Sequence, residues 1–282
     1  MRPIAAGGRR IWGLAGLAVA AALAIPGAWL ITSAGVDRDP GLQDTVTRVV
    51  TVPQPVTTLD VQSYGAPVQV TAGPVSHVQV TEAIAYDPRD GRPPAAPRSV
   101  SNGILTLTEP ACVCTVGFSL TVPPGVGVAA DTEGGPITVS GVAAASLDSG
   151  GGPVRAAGIS GPLVVITDGG ALMLNALAGP LQADTGGGPL LAQDMHSATA
   201  TITTGGGGAR IGFTKAPDGL FVSTDGGPAA LALPAGPYAL TARSYGGPEA
   251  VGIAADPAAG RSITVTTGGG PLQIEPITKS EP

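Results

Sequence analysis

The sequence offers few residues whose types and spacing could perform catalysis. Its only two histidines, His77 and His196, lie far apart in the chain, and no stretch resembles the nucleophile elbow of a serine hydrolase. Histidines so widely separated do not predict a zinc or haem site. The acidic residues are scattered, whereas glycoside hydrolysis needs a pair of carboxylates. We therefore expect no enzyme, no catalytic residue, no cofactor and no metal site; a carbohydrate-active enzyme is the remote alternative.

A column of acidic and aromatic residues is the sharpest surface pattern in the chain. Glu133, Asp168 and Asp225 stand three positions before the Pro or Ala of a recurring phrase. Tyr64 and Tyr245 occupy the equivalent place in two further copies. Stacked coils would turn this column into a surface ridge along one corner. Calcium-binding β-rolls carry a Gly-Gly-X-Gly-X-Asp nonapeptide, which is absent, so we interpret the ridge as solvated turn residues.

A column of hydroxyl residues stands one position earlier. Such hydroxyls can cap turns by bonding to nearby backbone groups. Ice-binding solenoids also carry threonine arrays, and Thr199, Thr201 and Thr203 suggest one together with Thr264 and Thr266. These groups do not recur in every coil, which disfavours ice binding. The hydroxyl column consists of Ser63, Thr132, Ser149, Thr167, Thr185, Thr224, Ser244 and Thr267.

The only cysteines, Cys112 and Cys114, are two residues apart. In a flat strand their Cα atoms would lie about 6.6–6.8 Å apart, at the upper edge of disulfide geometry. A local bend would bring them closer, and Pro110 makes such a bend plausible. The sequence leaves open whether they form a disulfide.

These columns are set by a phrase that recurs eight times between Asp131 and Ile277. It reads Ser or Thr, a Gly-Gly pair, usually Pro, then alternating apolar residues, and Gly supplies the positive φ that turns need. The intervals are 17, 18, 18, 20, 19, 20 and 23 residues, a near-constant period that indicates stacked repeats. The Pro or Ala positions are Pro136, Pro153, Ala171, Pro189, Ala209, Pro228, Pro248 and Pro271.

A second turn about eight residues later divides each period into two short strands. We therefore predict an all-β fold, a β-solenoid (β-helix or β-roll-like) stack of coils of about 18–20 residues with two short strands each. Residues one, three and six positions after the Pro should face inward. They are Ile137, Val139, Val142, Val154, Ala156, Ile159, Leu172, Leu174, Leu177, Leu190, Ala192, Met195, Leu272, Ile274 and Ile277.

An uncharged, mostly apolar run of 24 residues extends from Ile11 to Ala34, long enough for a transmembrane helix. Arg2, Arg9 and Arg10 precede it, which places the N-terminus in the cytoplasm by the positive-inside rule. A cleaved signal peptide is the competing interpretation. We expect an uncleaved anchor in the cell membrane, a single-pass protein whose C-terminal domain is extracytoplasmic.

The exported part carries 20 acidic against 11 basic residues, which argues against nucleic acid as a partner. Two features set the domain boundaries: segments rich in Pro, Gly and Asp, and the residue at which apolar and polar residues begin to alternate. We predict a cytoplasmic tip at 1–10, a transmembrane helix at 11–34, a linker at 35–58, an extracytoplasmic solenoid at 59–277 and a tail at 278–282. Within the solenoid, 59–130 is the irregular capping part and 131–277 holds the regular repeats.

The order of these segments resembles the bacterial putative-adhesin family, a β-strand-repeat group of unknown function, in the version with one N-terminal membrane helix. The resemblance rests on residues 59–80, on Gly103-Ile104-Leu105-Thr106-Leu107, on residues 118–126 ending in Pro-Pro-Gly-Val, and on the Gly-Gly repeats. It covers about residues 59–277 and implies a β-solenoid at the cell envelope. The family supplies no active-site residues to transfer.

We therefore expect an adhesin-like structural or binding module of the envelope, with an envelope protein or a polysaccharide as its partner. The alternative is an extracytoplasmic sensor or an accessory subunit of a membrane signalling or transport complex.

Overall fold

A computed structural model describes residues 44–277 of the chain. Over this range the fold consists of 23 β-strands and one 3₁₀ turn, Pro88–Asp90. The strands lie in two large sheets whose apolar faces form one continuous core. This is a β-solenoid-like architecture.

The strand bounds show how short and regular the repeats are. The first eight strands are β1 Asp44–Val52, β2 Thr58–Gln62, β3 Val68–Ala72, β4 Val78–Tyr86, β5 Arg98–Ser101, β6 Ile104–Thr108, β7 Cys114–Val122 and β8 Gly127–Asp131. The others are β9 Ile137–Ser140, β10 Ala144–Asp148, β11 Val154–Ala157, β12 Leu163–Ile166, β13 Leu172–Asn175, β14 Leu181–Asp184, β15 Leu190–Met195, β16 Thr199–Thr204, β17 Ala209–Phe213, β18 Gly219–Thr224, β19 Ala229–Leu233, β20 Ala239–Ser244, β21 Glu249–Val251, β22 Ser262–Thr267 and β23 Leu272–Pro276.

The two sheets share the coils between them. Sheet A has 12 strands in the order β1-β4-β7-β3-β9-β11-β13-β15-β17-β19-β23-β21. Sheet B has 11 strands in the order β20-β22-β18-β16-β14-β12-β10-β8-β2-β6-β5. Neighbouring strands are parallel except in the β1–β4–β7 group and the β5–β6 hairpin. From β8 to β19, each coil contributes one strand to sheet B and the next strand to sheet A.

The predicted fold class and localisation need correction. No helix among residues 44–277 is long and apolar enough to cross a membrane. The stretch predicted as a transmembrane helix, 11–34, lies outside the described residues. The class "β-solenoid plus transmembrane helix" is therefore corrected to an all-β fold of two large sheets, and the single-pass membrane localisation is not supported.

Part of the segment predicted as a linker is a strand. Residues 44–52 form β1, which pairs antiparallel with β4 along its whole length. Every second residue near its end is apolar, and Val52 is buried in the core. The prolines at 53 and 55 suggested a linker, but they only end the strand, because proline cannot extend a paired strand.

The inward-facing residues predicted from the alternation are confirmed with one exception. All except Ile277 are at most 2% exposed, and equivalent residues of successive coils are register partners, as in Ile137, Val154 and Leu172. Ile277 is 37% exposed, so its prediction was wrong. It follows the last residue of β23, where the chain leaves the sheet.

The copy of the recurring phrase that ends at Ala209 in the sequence pattern ends one residue earlier in the structure. Ala209 pairs with Leu190 and Ala229, which are the first inward residues of their coils. Gly208 therefore takes the place that Pro holds elsewhere. Four consecutive glycines, 205–208, concealed this shift in the sequence.

The second glycine of the phrase is required because a side chain at this position would not fit against the neighbouring coil. A methyl group on Gly170 would come within 2.0 Å of the Gly152 carbonyl oxygen, and one on Gly188 within 2.0 Å of the Gly170 oxygen. The coils thus stack backbone on backbone at this corner. The predicted reason, a positive φ, holds only for the first glycine of some copies, such as Gly134 and Gly151.

The order of coils departs from chain order at both ends of the stack. The β2/β3 coil lies between β6/β7 and β8/β9, although it precedes both. The β22/β23 coil, the last in the chain, lies between β18/β19 and β20/β21. The outermost coil at this end is therefore β20/β21, whose strands are much more exposed than those of the central coils.

Gly170→Ala should destabilise the protein strongly, because its new methyl group meets the backbone of the next coil. We expect a loss of about 3 kcal/mol in the free energy of unfolding, measured by denaturant titration. Gly169→Ala is the matched control: nothing lies within 4 Å of its methyl position. Equal stability of the two variants would contradict the stacked corner.

The insertion of β22 can be tested by cross-linking. Ser223 and Thr266 are register partners, so the pair Ser223→Cys and Thr266→Cys should form a disulfide detectable by peptide mass spectrometry. The control pair, Ser223→Cys and Arg243→Cys, should not, because β22 separates β18 from β20. The opposite result would show that the coils follow chain order.

Candidate functional site

The hydroxyl column lies inside the fold and caps the turns. Thr185 Oγ1 donates to the Gly188 carbonyl at 2.6 Å, and the Gly188 N–H donates back to the Thr185 carbonyl at 3.0 Å. The equivalent hydroxyls of Ser63, Thr132, Ser149, Thr167, Thr224 and Thr267 make the same bond to the residue three positions on. All seven residues are at most 2% exposed, so the predicted capping role is confirmed and no ligand can reach them.

Thr204 and Ser244 also have hydroxyls at this corner. Thr204 belongs to the column, since its hydroxyl donates to the Gly207 carbonyl at 2.5 Å; the misaligned phrase hid it. Ser244 differs from the other members because its hydroxyl donates to Gly270 of the neighbouring coil, at 3.0 Å. Ser244 lies in β20, in the outermost coil, where the turn is the least regular.

The acidic column lines one corner, but its carboxylates do not meet. Gly150 stacks on Glu133, Gly186 on Asp168 and Gly268 on Asp225. Two further glycine-bearing coils, at Gly186 and Gly205, separate Asp168 from Asp225. With coils about 4.8 Å apart, each acid is therefore about 10 Å or more from the next. Tyr64 and Tyr245 are 66% and 73% exposed and lie towards opposite ends of the stack.

The histidines and cysteines lie in separate parts of the described fold. Within residues 44–277, no three His, Cys, Asp or Glu side chains come close enough to hold a metal ion. His77 and His196 are both exposed, and the His77 Nδ1 atom lies 2.9 Å from the Ser76 hydroxyl. Cys112 and Cys114 form a disulfide with Cα atoms 5.3 Å apart, and Val113 projects outward between them.

The shifted pKa values also have structural causes. Burial raises the pKa of the Tyr238 phenol, whose hydroxyl donates to the Pro234 carbonyl at 2.7 Å. A hydrogen bond to the Asp44 carboxylate raises the pKa of Tyr86. Hydrogen bonds from Arg89 lower the pKa of Asp87 at the 3₁₀ turn. These groups anchor turns and strand ends.

The most distinctive surface is the outer face of sheet B from β14 to β20. At its centre Phe221 is 43% exposed, and its register partners on the two neighbouring strands are Thr201 and Thr264. Next in the same row come Gln182 and Thr241. We call this surface the hydroxyl face; it comprises Gln182, Thr199, Thr201, Thr203, Phe221, Ser223, Thr241, Ser262, Thr264 and Thr266.

The adjacent row of the hydroxyl face is also polar and nearly neutral. Thr203, Ser223 and Thr266 are register partners, and the Thr266 hydroxyl donates to the Ser223 hydroxyl at 3.3 Å. Charged side chains stand only at the borders of the row, at Asp184 and Arg243. The face therefore presents hydroxyl donors and acceptors around one aromatic ring.

The sequence pattern pointed to five threonines of this face, at 199, 201, 203, 264 and 266, but not to Thr241 or Phe221. The buried residues Leu220 and Val222 flank Phe221, so the three read as one apolar run. The alternation along the strand could have revealed it, because Phe221 lies between two inward-facing residues and must therefore face outward. The pairing of β18 with β22 could not be predicted either, because paired residues such as Ser223 and Thr266 are 43 positions apart in the sequence.

No protein-family model matches the sequence, and no curated protein matches it. Membership of the family that the sequence resembles is therefore not shown. Solved structures with a similar fold include a putative adhesin from Parabacteroides distasonis, with 12% identity and a TM-score of 0.46 over 83% of this chain and 98% of that one. Another is a putative adhesin from Bacteroides fragilis, with 14% identity and a TM-score of 0.41 over 84% and 99%.

A third similar structure is a putative lipid binding protein from Parabacteroides distasonis, with 10% identity and a TM-score of 0.44 over 83% of this chain and 98% of that one. With identities and TM-scores this low, none of these structures supports an argument about activity.

Thr185→Val should reveal the capping role of the buried hydroxyls. It removes one hydrogen bond and leaves the Gly188 carbonyl without its hydroxyl donor, at a cost of about 1–3 kcal/mol in the free energy of unfolding. Thr201→Val, on the exposed hydroxyl face, is the matched control and should change stability little. Denaturant unfolding of both variants measures the difference, and equal losses would contradict the assignment.

Proposed function

We propose that the described domain is an adhesin-like binding module that contacts an extended polysaccharide through the hydroxyl face. The observation that carries this proposal is Phe221, an exposed aromatic ring on the outer face of sheet B with hydroxyl residues on both neighbouring strands. Isolated exposed apolar residues need no explanation, but an aromatic ring ringed by polar groups is typical of a binding surface.

The chemistry of a sugar ring matches this arrangement. One side of a pyranose presents C–H groups, which pack against an aromatic ring, while its edge presents hydroxyls. Thr201 and Thr264 stand on either side of Phe221 and can donate to and accept from those hydroxyls. Gln182, one strand further, adds an amide with both donors and an acceptor.

The geometry favours a polymer over a single small molecule. The strands of this face are parallel and in register, so equivalent side chains repeat about every 4.8 Å across them. An extended glycan can therefore contact one coil after another. The strands hold these side chains in fixed positions before binding, which reduces the entropy lost on association.

The low charge of the hydroxyl face favours a neutral glycan. Its centre carries hydroxyl, amide and aromatic groups, with Asp184 and Arg243 only at the borders. An anionic polymer would need basic side chains to compensate its charge. Phe221 also interrupts the threonine row, which separates this face from a uniform hydroxyl array of the ice-binding kind.

Phe221→Ala should weaken binding of a neutral polysaccharide about tenfold or more, since buried aromatic anchors dominate binding energies. Met173→Ala is the matched control: Met173 is 41% exposed but lies on the outer face of sheet A. The full chain and both variants would be screened on a glycan array and then titrated with the best ligand.

Both variants should keep the circular dichroism spectrum and the thermal midpoint of the parent protein. Equal weakening by Phe221→Ala and Met173→Ala would contradict the hydroxyl face as the binding surface. Binding to no glycan at all would contradict the proposed function itself.

A further inference from the structure

A cavity of about 300 Å³ opens at the end of the stack that lies opposite β20 and β21. It lies between β1, the edge strand of sheet A, and β5, the edge strand of sheet B. Among the described residues no further coil packs on this end, and Val52 and Leu105 at the base of the cavity are at most 3% exposed. Its lining is mixed: the apolar residues are Val50, Val52, Pro53, Val100 and Leu105, and the polar ones are Thr51, Gln54, Arg98 and Ser99.

A buried carboxylate positions the arginine of this cavity. The Glu82 side chain is fully buried, and its Oε1 atom lies 3.4 Å from the Arg98 Nη1 atom. Its Oε2 atom accepts a hydrogen bond from the Ala96 N–H at 3.2 Å. Arg98 itself is 35% exposed, so one side of its guanidinium faces the carboxylate while part of the side chain reaches the cavity.

A second arginine shares the same carboxylate but has other partners. Arg48 Nη1 lies 3.9 Å from Glu82 Oε2, and its guanidinium donates to the carbonyls of Pro93 and Pro94 at 2.6 and 2.8 Å. Arg48, which lies in β1, therefore holds the Pro-rich loop in place by these two hydrogen bonds. Arg98 has no such carbonyl partners among the described residues.

The cluster has one positive charge in excess. Two arginines face one carboxylate, although residues 44–277 carry 17 acidic and only 9 basic residues. A guanidinium has five N–H donors and prefers two parallel bonds to a carboxylate. The long contact to Glu82 leaves most of the Arg98 donors free for a ligand.

We propose that this cavity binds a small amphiphilic carboxylate. Its carboxylate would pair with Arg98, and its apolar chain would lie against Val50 and Val100, the partly exposed valines of the lining. The volume is at the lower end of the range for small-molecule sites, about 300–1,000 Å³, which favours a short chain over a polymer. The site is independent of the hydroxyl face, which lies on the outer side of sheet B.

Calorimetric titration of the full chain with sodium octanoate tests this site. Octylammonium, of equal chain length and opposite charge, is the control ligand and should not bind. Arg98→Gln should weaken octanoate binding about tenfold or more, because a charge-assisted pair is lost. Arg92→Gln, an exposed arginine of the neighbouring loop, should leave the affinity unchanged.

A second variant tests the cavity without removing the arginine. Val100→Phe fills the space and should abolish octanoate binding while the circular dichroism spectrum stays unchanged. Amide chemical shifts of labelled protein should move at Val50–Gln54 and Arg98–Val100. Equal binding of octanoate and octylammonium, full affinity in Arg98→Gln, no octanoate binding, or shifts confined to other strands would each overturn the proposal. Glycan binding by the hydroxyl face is measured separately and would not be affected.

Discussion

The fold depends on the close contact between glycine backbones at one corner of the regular coils. There, the carbonyl of one coil occupies the space that a side chain of the next would need, as between Gly152 and Gly170. This close approach is reached only without a Cβ atom. It keeps successive coils in register, and through them the inward columns of Val, Leu, Ile and Ala that form the core.

The buried hydroxyls donate hydrogen bonds to the backbone carbonyls at this corner. A backbone packed against backbone leaves carbonyl groups away from water, and each needs a donor. The hydroxyl three residues earlier supplies it, as Thr185 does for Gly188. The hydroxyl column is therefore occupied by turn capping, and its members are buried. The outward strand positions remain for binding.

The two candidate binding surfaces lie on the outer face of sheet B and at one end of the stack. The hydroxyl face uses outward positions of β14, β16, β18, β22 and β20, where the core imposes no constraint on side-chain type. The cavity at Arg98 lies between β1 and β5, the edge strands of the two sheets among the described residues. The sensor and enzyme hypotheses stay predictions, since no described feature bears on them.

Much of the central stack could be predicted because its constraints are local in sequence. The period located the turns, and the alternation identified inward residues such as Leu172 and Val154 correctly. Errors arose where local patterns were ambiguous: four consecutive glycines shifted one phrase, and prolines at 53 and 55 concealed the β1 strand. Phe221 was missed because buried neighbours on both sides masked its outward position.

The sequence by itself determined the coil, because its period, its glycines and its hydroxyls act within about 20 residues of chain. Only the tertiary structure decided which coils are neighbours at the ends of the stack. Pairing of β18 with β22, of β2 with β8, and of β1 with β4 depends on hydrogen bonds between strands that are alike in pattern and far apart in sequence. The β18–β22 pairing places Thr264 beside Phe221. Arg98 of β5 and Glu82 of β4 belong to different sheets and meet only because the two sheets pack together.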